Sequence, residues 1–404
     1  MNAFTEPVSF DPESAERDMG IALQHFIRIR RDIHAHPELG FREHRTAALV
    51  AKLLAQWGYE VSAGIGGTGV VGQLRRGSGR RLGLRADMDA LPVQEKTGLT
   101  WASSVPGVMH ACGHDGHTAT LLAAAEAIAR APDFSGTLNL IFQPAEEGAG
   151  GAVRMIKDGL FERFPCDAVF AMHNLPGLKT GHFMFRSGPA MASSDDVTIR
   201  LLGVGGHGAM PHTTTDVIVA ASAIVLALQS VVSRNVDPLE TAVVSVGAFH
   251  AGQAGNVIPD SATLELSVRA LSAEVRALLR KRIIELVETQ AASFGVSAQV
   301  DWREGYDVLV NDADHTRFAA GVATQLFGSS RVINDGRRLT ASEDFAFMLK
   351  QVPGCYFFVG NGLAGEPGGC MVHNPGYDFN DQIIEPAAKF WVELVNAFLP
   401  ARAA

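Results

Sequence analysis

Short apolar runs alternate with helix-like stretches along the first 188 residues of the chain. Apolar positions recur at helical spacing in 22–31 and 43–57, and the Ala- and Leu-rich stretch 118–131 predicts a buried helix. Three strand-like runs each lead into acidic residues or histidine, and they are 82–86, 137–142 and 168–172. This alternation predicts an α/β fold with a mostly parallel sheet and helices on both faces. Such sheets bind ligands beyond the carboxyl ends of their strands, where these polar clusters fall.

The pattern changes after Gly188, and apolar and polar residues alternate along the stretch 263–269. Strands and helices then follow in the order strand, helix, strand, strand, helix, strand, and they are 197–202, 216–233, 242–249, 263–269, 272–294 and 296–302. Ser272 is a candidate N-cap of the second helix. The order is that of a ferredoxin-like unit. We therefore expect residues 189–302 to form an inserted domain, and 1–188 and 303–404 to form one discontinuous domain.

Composition narrows the class of protein. The chain of 404 residues is 47% hydrophobic and 19% charged, which is typical of a soluble globular protein of more than one domain. A net charge of −9 without a basic block argues against nucleic acid as a partner. The longest apolar run, Val217–Leu228, is too short to span a membrane, and the polar segment Met1–Gly20 lacks the apolar region of a secretory signal. Four irregularly spaced cysteines favour a reduced, cytoplasmic protein.

The segment His110–His117 concentrates potential metal ligands. Cys112 and His114 lie two residues apart on a glycine-containing turn before the predicted helix, so both can face one cation. The helix N-terminus would favour the thiolate that metal binding requires. Taken alone, the pair falls short of a four-ligand zinc motif, so a histidine-rich loop with a buried cysteine is an equal alternative.

Glu146 and Glu147 form an adjacent pair of carboxylates directly after the strand 137–142. Because neighbouring side chains point in different directions, one can bind a metal while the other takes a proton from water. The alternative is a solvated acidic turn. His173 and His373 also follow predicted strands. With Cys112, His114 and one of the glutamates they offer five donors, which exceeds one tetrahedral zinc and predicts a two-metal site.

Five motifs occur in one order along the chain, and they are Arg85–Pro92, His110–His117, Pro144–Gly148, Ala171–Asn174 and His373–Pro375. With them the chain resembles the M20 metallopeptidase family over nearly its full length. The Cys-Gly-His segment is similar to the aminoacylase-type branch, which includes hippurate hydrolases, N-acyl-amino-acid amidohydrolases and plant auxin–amino-acid conjugate hydrolases. The resemblance implies two divalent metal ions, Mn²⁺, Zn²⁺, Co²⁺ or Ni²⁺, and the ligands it implies are Cys112, His114, Glu147, His173 and His373.

The same resemblance assigns further roles. It implies that Glu146 is the general base. Asp87 and Asp89 stand where other members carry His-x-Asp, so we expect Asp89 to orient a ligand and Asp87 to serve a loop or capping role. The inserted domain resembles the family's lid or dimerisation domain. There His207 would stabilise the oxyanion, in several members from the partner subunit.

Two lid positions are expected to hold the substrate carboxylate. They are Asn256 and Arg269, and a guanidinium binds a carboxylate through two parallel hydrogen bonds. An exposed strand residue is the alternative role of Arg269. The expected activity is two-metal-dependent hydrolysis of the amide of N-acyl-L-amino acids by a homodimer or tetramer. The alternatives are a dipeptidase or carboxypeptidase on the same scaffold and a non-catalytic binder of amino-acid conjugates.

Overall fold

The protein is described by a computed structural model over residues 21–130 and 134–401. The prediction that the chain lacks a secretory signal concerns Met1–Gly20, which lie outside the described residues. The helices in the described residues are α1 (Leu23–Ala35), α2 (His44–Gln56), α3 (His114–Arg130), α4 (Gly151–Lys157), α5 (Leu160–Arg163), α6 (Val217–Asn235), α7 (Ala273–Ser293), α8 (Ala313–Phe327), α9 (Phe345–Leu349) and α10 (Ile384–Phe398).

The strands share the same chain-order numbering. They are β1 (Glu60–Ile65), β2 (Gly69–Arg76), β3 (Arg81–Asp87), β4 (Gly136–Gln143), β5 (Ala168–Pro176), β6 (Phe183–Met184), β7 (Gly188–Met191), β8 (Ser193–Leu202), β9 (Gly206–His207), β10 (Ala242–Ala251), β11 (Val257–Ile258), β12 (Ser261–Ala270), β13 (Ser297–Glu304), β14 (Leu309–Asn311), β15 (Val332–Ile333) and β16 (Gly354–Gly362).

The chain forms two compact units. Unit 1 contains the described residues up to 188, together with 310–337 and those from 347 onwards, and unit 2 contains 189–309 and 338–346. Unit 2 thus extends past residue 302, where the sequence pattern placed the end of the inserted domain. The functional division into a catalytic domain and a lid stays a prediction.

Unit 1 is built on an eight-stranded sheet in the order β1-β2-β4-β3-β5-β16-β6-β15. Its central strands β4, β3, β5 and β16 are parallel, while the hairpin β1–β2 adds antiparallel strands at one edge. The α/β class with a mostly parallel sheet is therefore confirmed. Helix α3 is buried along nearly its whole length and packs against α1 and α10. It begins at His114, four residues before the predicted start, so its first turn carries the histidine motif.

Unit 2 is an antiparallel sheet in the order β10-β12-β8-β13, with α6 and α7 packed together against it. The alternation along β12 buries Ala262, Leu264, Leu266, Val268 and Ala270, as expected for a strand that covers a core with one face. Ser272 caps α7 by accepting a hydrogen bond from the main-chain nitrogen of Val275 at 3.2 Å. The predicted ferredoxin-like order of elements is confirmed.

Helix α6 is longer than the apolar run that the sequence pattern singled out. With 19 residues it has the length and composition of a membrane-spanning helix. The sequence pattern by itself predicts that the apolar run in this segment is too short to span a membrane. Buried core helices of soluble proteins pass the same test. One face of α6 packs into the core of unit 2, and its buried residues are Val217, Ala220, Ala221, Ile224, Leu228 and Val231.

Candidate metal centre

The predicted ligands of unit 1 lie at one edge of its sheet. The parallel strands β3, β4 and β5 end at this edge, where β3 supplies Asp87 and the turn 144–148 follows β4. His173 lies near the end of β5, and His114 opens α3. The carboxyl edge of the parallel strands therefore gathers residues that are distant in sequence.

Two groups of ligand atoms share one thiol. The ligand atoms of Cys112, His114 and His173 lie within 4.8 Å of one another, and so do those of Cys112, Glu147 and His373. Cys112 Sγ is 3.3 Å from His173 Nε2. Glu147 Oε1 is 3.1 Å from His373 Nε2. All five residues predicted as ligands thus come together in the structure, with Cys112 common to both groups.

The imidazole rings present their second nitrogens to this cluster. His173 Nδ1 donates to the main-chain oxygen of Asn174 at 2.6 Å, which leaves its Nε2 facing Cys112. His114 Nδ1 donates to Asp89 Oδ1 at 3.2 Å. Within the described residues His114 Nε2 is buried without a hydrogen-bond partner, 3.7 Å from Asp87 Oδ2. Since a buried polar atom is normally satisfied, this orphaned nitrogen fits a bound cation, as does the mixed sulfur, nitrogen and oxygen donor set.

Burial and neighbouring charges shift the pKa values of the thiol and imidazole groups in the cluster. Burial and the carboxylates of Glu147 and Glu146 raise the pKa of the Cys112 thiol well above its usual value. Without a cation these groups therefore disfavour the Cys112 thiolate, and the field of a bound cation would favour it. Burial lowers the pKa of His114, but Asp87 and Asp89 outweigh it and raise that pKa to about 10. Burial and His117 lower the pKa of His173 well below its usual value.

Asp89 holds both the His114 ring and the turn that carries the glutamates. Besides its contact with His114, its Oδ1 accepts from the main-chain nitrogen of Glu146 at 3.0 Å, and its Oδ2 accepts from that of Glu147 at 2.9 Å. Glu146 is buried and Glu147 is half-buried. The atoms of His114, Glu146 and Glu147 also lie within 4.8 Å of one another. The structure therefore places Glu146 beside the ligand cluster, on the same turn as Glu147.

Asp87 is fully buried and belongs to a network that sequence reasoning missed. Its Oδ1 accepts from His117 Nδ1 at 2.6 Å, and its Oδ2 accepts from Arg85 Nη1 at 2.7 Å. His117 Nε2 in turn accepts from the main-chain nitrogen of Asn174 at 3.1 Å. Both ring nitrogens of His117 therefore have hydrogen-bond partners. His117 links Asp87 to the main chain next to the ligand His173, which accounts for its place in the histidine motif. The sequence signal was present, because His117 lies in the motif that supplies Cys112.

Asn174 and Tyr377 anchor the segment that carries Cys112. The Asn174 side-chain nitrogen donates to the main-chain oxygen of Cys112 at 2.6 Å, and the Tyr377 hydroxyl donates to Asn174 Oδ1 at 2.8 Å. Gly113 has φ +98°, and a Cβ there would lie 2.3 Å from Asn174 Nδ2 and 2.5 Å from the Tyr377 oxygen. Glycine is therefore required between the two ligands Cys112 and His114.

A buried ionic network connects α1 to the first turn of α3. Asp115 Oδ2 lies 2.8 Å from both Arg30 Nε and His34 Nδ1, and all three side chains are buried. Burial lowers the pKa of His34, but Asp115 outweighs it and raises that pKa to about 9. The network ties α1 to the helix that begins with His114. None of these three residues was singled out from the sequence as a site residue, because ionic partners 81 positions apart leave no local pattern.

In unit 2 the structure brings two of the three predicted lid residues together. His207 and Asn256 line an open cleft of about 680 Å³ together with residues 205–206 and 257–260. The pairing of β9 with β11 sets His207 opposite Val257, the residue after Asn256, and the Gly208 nitrogen donates to the main-chain oxygen of Asn256 at 2.8 Å. Arg269 is outside this cleft within the described part of unit 2. Its Nε donates to Ser267 Oγ at 3.2 Å and its Nη1 to Ser342 Oγ at 3.1 Å.

Unit 1 combines a mostly parallel sheet with two groups of potential metal ligands that share the Cys112 thiol, and a further carboxylate lies beside them. This combination defines a hydrolase of the metallopeptidase class. The chain belongs to Peptidase family M20/M25/M40, whose family model matches residues 83–397. It is accordingly a hydrolase that acts on amide bonds.

Similar proteins span nearly the whole chain. The hippurate hydrolase of Campylobacter jejuni subsp. jejuni serotype O:2 is 47% identical over 375 residues, which cover 93% of this chain and 96% of that protein. The N-acetyl-L-cysteine deacetylase of Bacillus subtilis is 37% identical over 389 residues, covering 96% and 91%. Among solved structures, the Bacillus subtilis YXEP protein, a dinuclear metal-binding peptidase from the M20 family, matches with a TM-score of 0.80. It is 32% identical, and the match covers 93% of this chain and 98% of that one.

Proposed function

We propose that the protein hydrolyses the amide of N-acyl-L-amino acids and releases a carboxylic acid and an amino acid, with two divalent metal ions as cofactors. The observation that carries this proposal is the pair of ligand groups that share Cys112, with Glu146 and Glu147 on one adjoining turn. The relatives named for hippurate and N-acetyl-L-cysteine support the substrate class, since both compounds are N-acyl amino acids.

The two ligand groups would hold the cations. One is Cys112 with His114 and His173, and the other is Cys112 with Glu147 and His373. Thiolate, imidazole and carboxylate together suit Zn²⁺, Mn²⁺, Co²⁺ or Ni²⁺. When bound, two such ions lower the pKa of a water molecule and stabilise negative charge on the substrate carbonyl oxygen.

The side chains supply proton transfer and substrate binding. Glu146 takes the proton of the attacking water and passes it to the leaving amine. Asp89 orients His114 and holds the main chain of both glutamates. A ring N–H of His207 donates to the developing oxyanion, in its own or the partner subunit's site. Asn256 and Arg269 bind the free carboxylate of the substrate and fix its position.

We also propose that the protein works in the cytoplasm as a homodimer or tetramer, with 189–302 as its lid and dimerisation domain. The exposed apolar residues Ile218, Val219 and Leu226 on α6 support self-association through this domain. Leu226→Glu should convert the assembly to monomers in sedimentation velocity. A monomeric wild type, or an assembly that Leu226→Glu leaves intact, would contradict this proposal.

A substrate panel on protein of known metal content tests the activity. Hippurate, N-acetyl amino acids and dipeptides should be compared before and after removal of metal with a chelator and re-addition of each ion. Hydrolysis of N-acyl amino acids that requires re-added metal is expected. Faster turnover of dipeptides would favour the peptidase alternative, and binding without turnover would favour the non-catalytic binder.

Glu146→Ala distinguishes the two glutamates. The variant should keep its metal content and lose about 10²–10⁴-fold in turnover, because only the proton acceptor is removed. Glu147→Ala is the matched variant and should lose metal instead. The reverse outcome, with metal lost from Glu146→Ala, would exchange the two roles.

Arg269→Ala tests the carboxylate subsite. It should raise KM for substrates with a free carboxylate far more than for the corresponding amides. Arg200→Ala removes an exposed arginine from β8 in the same unit and serves as the control. Equal effects on acids and amides would remove the role assigned to Arg269.

A further inference from the structure

The turn that carries Glu146 and Glu147 has an unusual backbone at the residue before them. Ala145 has φ +51°, in the left-handed region that residues with a Cβ rarely adopt. Such a conformation persists only where the surroundings hold it in place. The packing here is close, because a Cβ added at Gly40 would lie 3.0 Å from the Cβ of Ala145.

Three successive main-chain N–H groups of this turn all point at carboxylates. The Ala145 nitrogen donates to Glu43 Oε1 at 2.8 Å, and the nitrogens of Glu146 and Glu147 donate to Asp89 at 3.0 and 2.9 Å. Successive amides around a left-handed residue form a concave site for negative charge. Two buried side-chain carboxylates occupy that site. Asp89 already has a role beside His114, whereas Glu43 has none in the proposed chemistry.

The Glu43 side chain is held in place by burial and by hydrogen bonds to both of its oxygens. It lies immediately before α2 and is fully buried, and its Oε2 accepts a hydrogen bond from the hydroxyl of Thr68. Burying a carboxylate is costly unless hydrogen bonds satisfy it. Here one oxygen is oriented by Thr68 so that the other meets Ala145, the strained residue of the turn. The Glu43 side chain therefore links the start of α2 to the turn 102 residues further along the chain.

We propose that Glu43 is a positioning residue, which fixes Ala145 in its left-handed conformation and so directs Glu147 into the ligand cluster and Glu146 beside it. This inference rests on the proposed function, because it assigns Glu43 to the site that function uses. Glu43 acts through the main chain of Ala145 and touches neither the ligands nor the reacting atoms.

The test compares Glu43→Ala and Glu43→Gln with a matched control in the full-length chain. Glutamine keeps an oxygen that can accept from the Ala145 nitrogen, whereas alanine does not. Glu38→Ala is the control, since Glu38 accepts from the main-chain nitrogens of Arg45 and Thr46 at 2.9 Å each. It removes the same kind of hydrogen bond from the same segment without touching the turn 144–148.

Cobalt titration provides a readout that needs no substrate. Protein freed of metal is titrated with Co²⁺, and the thiolate-to-cobalt absorption of Cys112 is followed together with the number of ions bound. Glu43→Ala should bind the ion that depends on Glu147 about 10- to 100-fold more weakly and shift the absorption band. Its kcat should fall by a similar factor with KM little changed. Glu43→Gln should lie close to wild type, and Glu38→Ala should change stability alone.

Each outcome decides the proposal. Wild-type cobalt binding and kcat in a folded Glu43→Ala would overturn it, as would equal losses in Glu38→Ala or in Glu43→Gln. If Glu43→Ala does not fold, Thr68→Val removes only the hydroxyl that orients Glu43, and it should shift the cobalt band and affinity in the same direction. A wild type that binds no cobalt would overturn the proposed function as well, whereas two ions bound with wild-type affinity in every variant would overturn only the role of Glu43.

Discussion

The buried pair of His34 and Asp115 makes a quantitative prediction about stability and pH. His34 is fully buried, and its Nδ1 lies 2.8 Å from Asp115 Oδ2. Burial lowers the pKa of His34, but Asp115 and, to a smaller extent, Glu95 raise it to about 9 in the folded chain, against an ordinary value of 6.5 that applies when the chain is unfolded. This difference corresponds to about 3 kcal/mol of stabilisation of the protonated folded state.

The sign follows from the proton count. Between pH 6.5 and 9 the folded chain binds a proton at His34 that the unfolded chain has released, so the free energy of unfolding falls as the pH rises. The contribution is complete below pH 6.5, declines by about 1.4 kcal/mol per pH unit, and is lost above pH 9.

Chemical unfolding of the metal-loaded protein at pH 6.5, 7.5, 8.5 and 9.5 measures this effect. The informative quantity is the difference in unfolding free energy between wild type and His34→Gln, because other titrating groups largely cancel in it. That difference should shrink by about 3 kcal/mol over this range. His44→Gln, which removes an exposed histidine from the neighbouring helix α2, is the control. A difference that stays constant with pH, or the same trend in His44→Gln, would refute the assignment to His34.

Two further substitutions probe one residue in each unit. Asp89→Asn places an amide group against a buried main-chain N–H, so it should cost about 1–3 kcal/mol of stability and weaken metal binding about 10- to 100-fold. Asp195→Asn is the control, because Asp195 is equally buried and accepts from Arg276 and Gly305 within unit 2. This variant should lose stability without losing metal. Equal metal loss in both variants would contradict the role of Asp89. Ser272→Ala should lower the stability of unit 2 by about 1 kcal/mol in thermal unfolding with no change in metal content, and an unchanged transition would show that the cap is dispensable.

Local patterns accounted for much of the fold. The alternation along 263–269 predicted a half-buried strand, and Ser272 predicted a helix start that the structure confirms. The start of α3 was placed four residues too late, because His114–His117 are polar and lack the apolar spacing of a helix. These polar side chains are nonetheless buried, because Asp89 accepts from His114, Asp87 accepts from His117, and Asp115 itself pairs with His34. Helical spacing shows only burial of apolar residues, so it cannot reveal a polar helix start of this kind.

The site divides in a similar way. Cys112, His114 and the glutamate pair stood out because metal chemistry needs those residue types, and short spacing makes them visible. Glu43 and Tyr377 did not stand out. Each acts on a main-chain or amide group far along the sequence, through a single hydrogen bond that any of several residue types could have supplied. Asn256 and Arg269 were both expected to hold the substrate carboxylate, and that role stays a prediction; within unit 2 Arg269 contacts Ser267 and Ser342.

The sequence by itself determined the chemical inventory of this protein: the metal-binding residue types, the paired carboxylates, and the periodicities that specify a parallel α/β unit and a ferredoxin-like unit. Tertiary structure alone decided that one thiol belongs to both ligand groups and that, within the described residues, the second ring nitrogen of His114 has no hydrogen-bond partner. It also decided that Asp89 and Glu43 together bind the main chain of the turn that carries the two glutamates. The physical reason is that residue type and local spacing are encoded in neighbouring positions. Distances between atoms from separate strands exist only after the sheet has assembled and its hydrophobic core has fixed the strand ends.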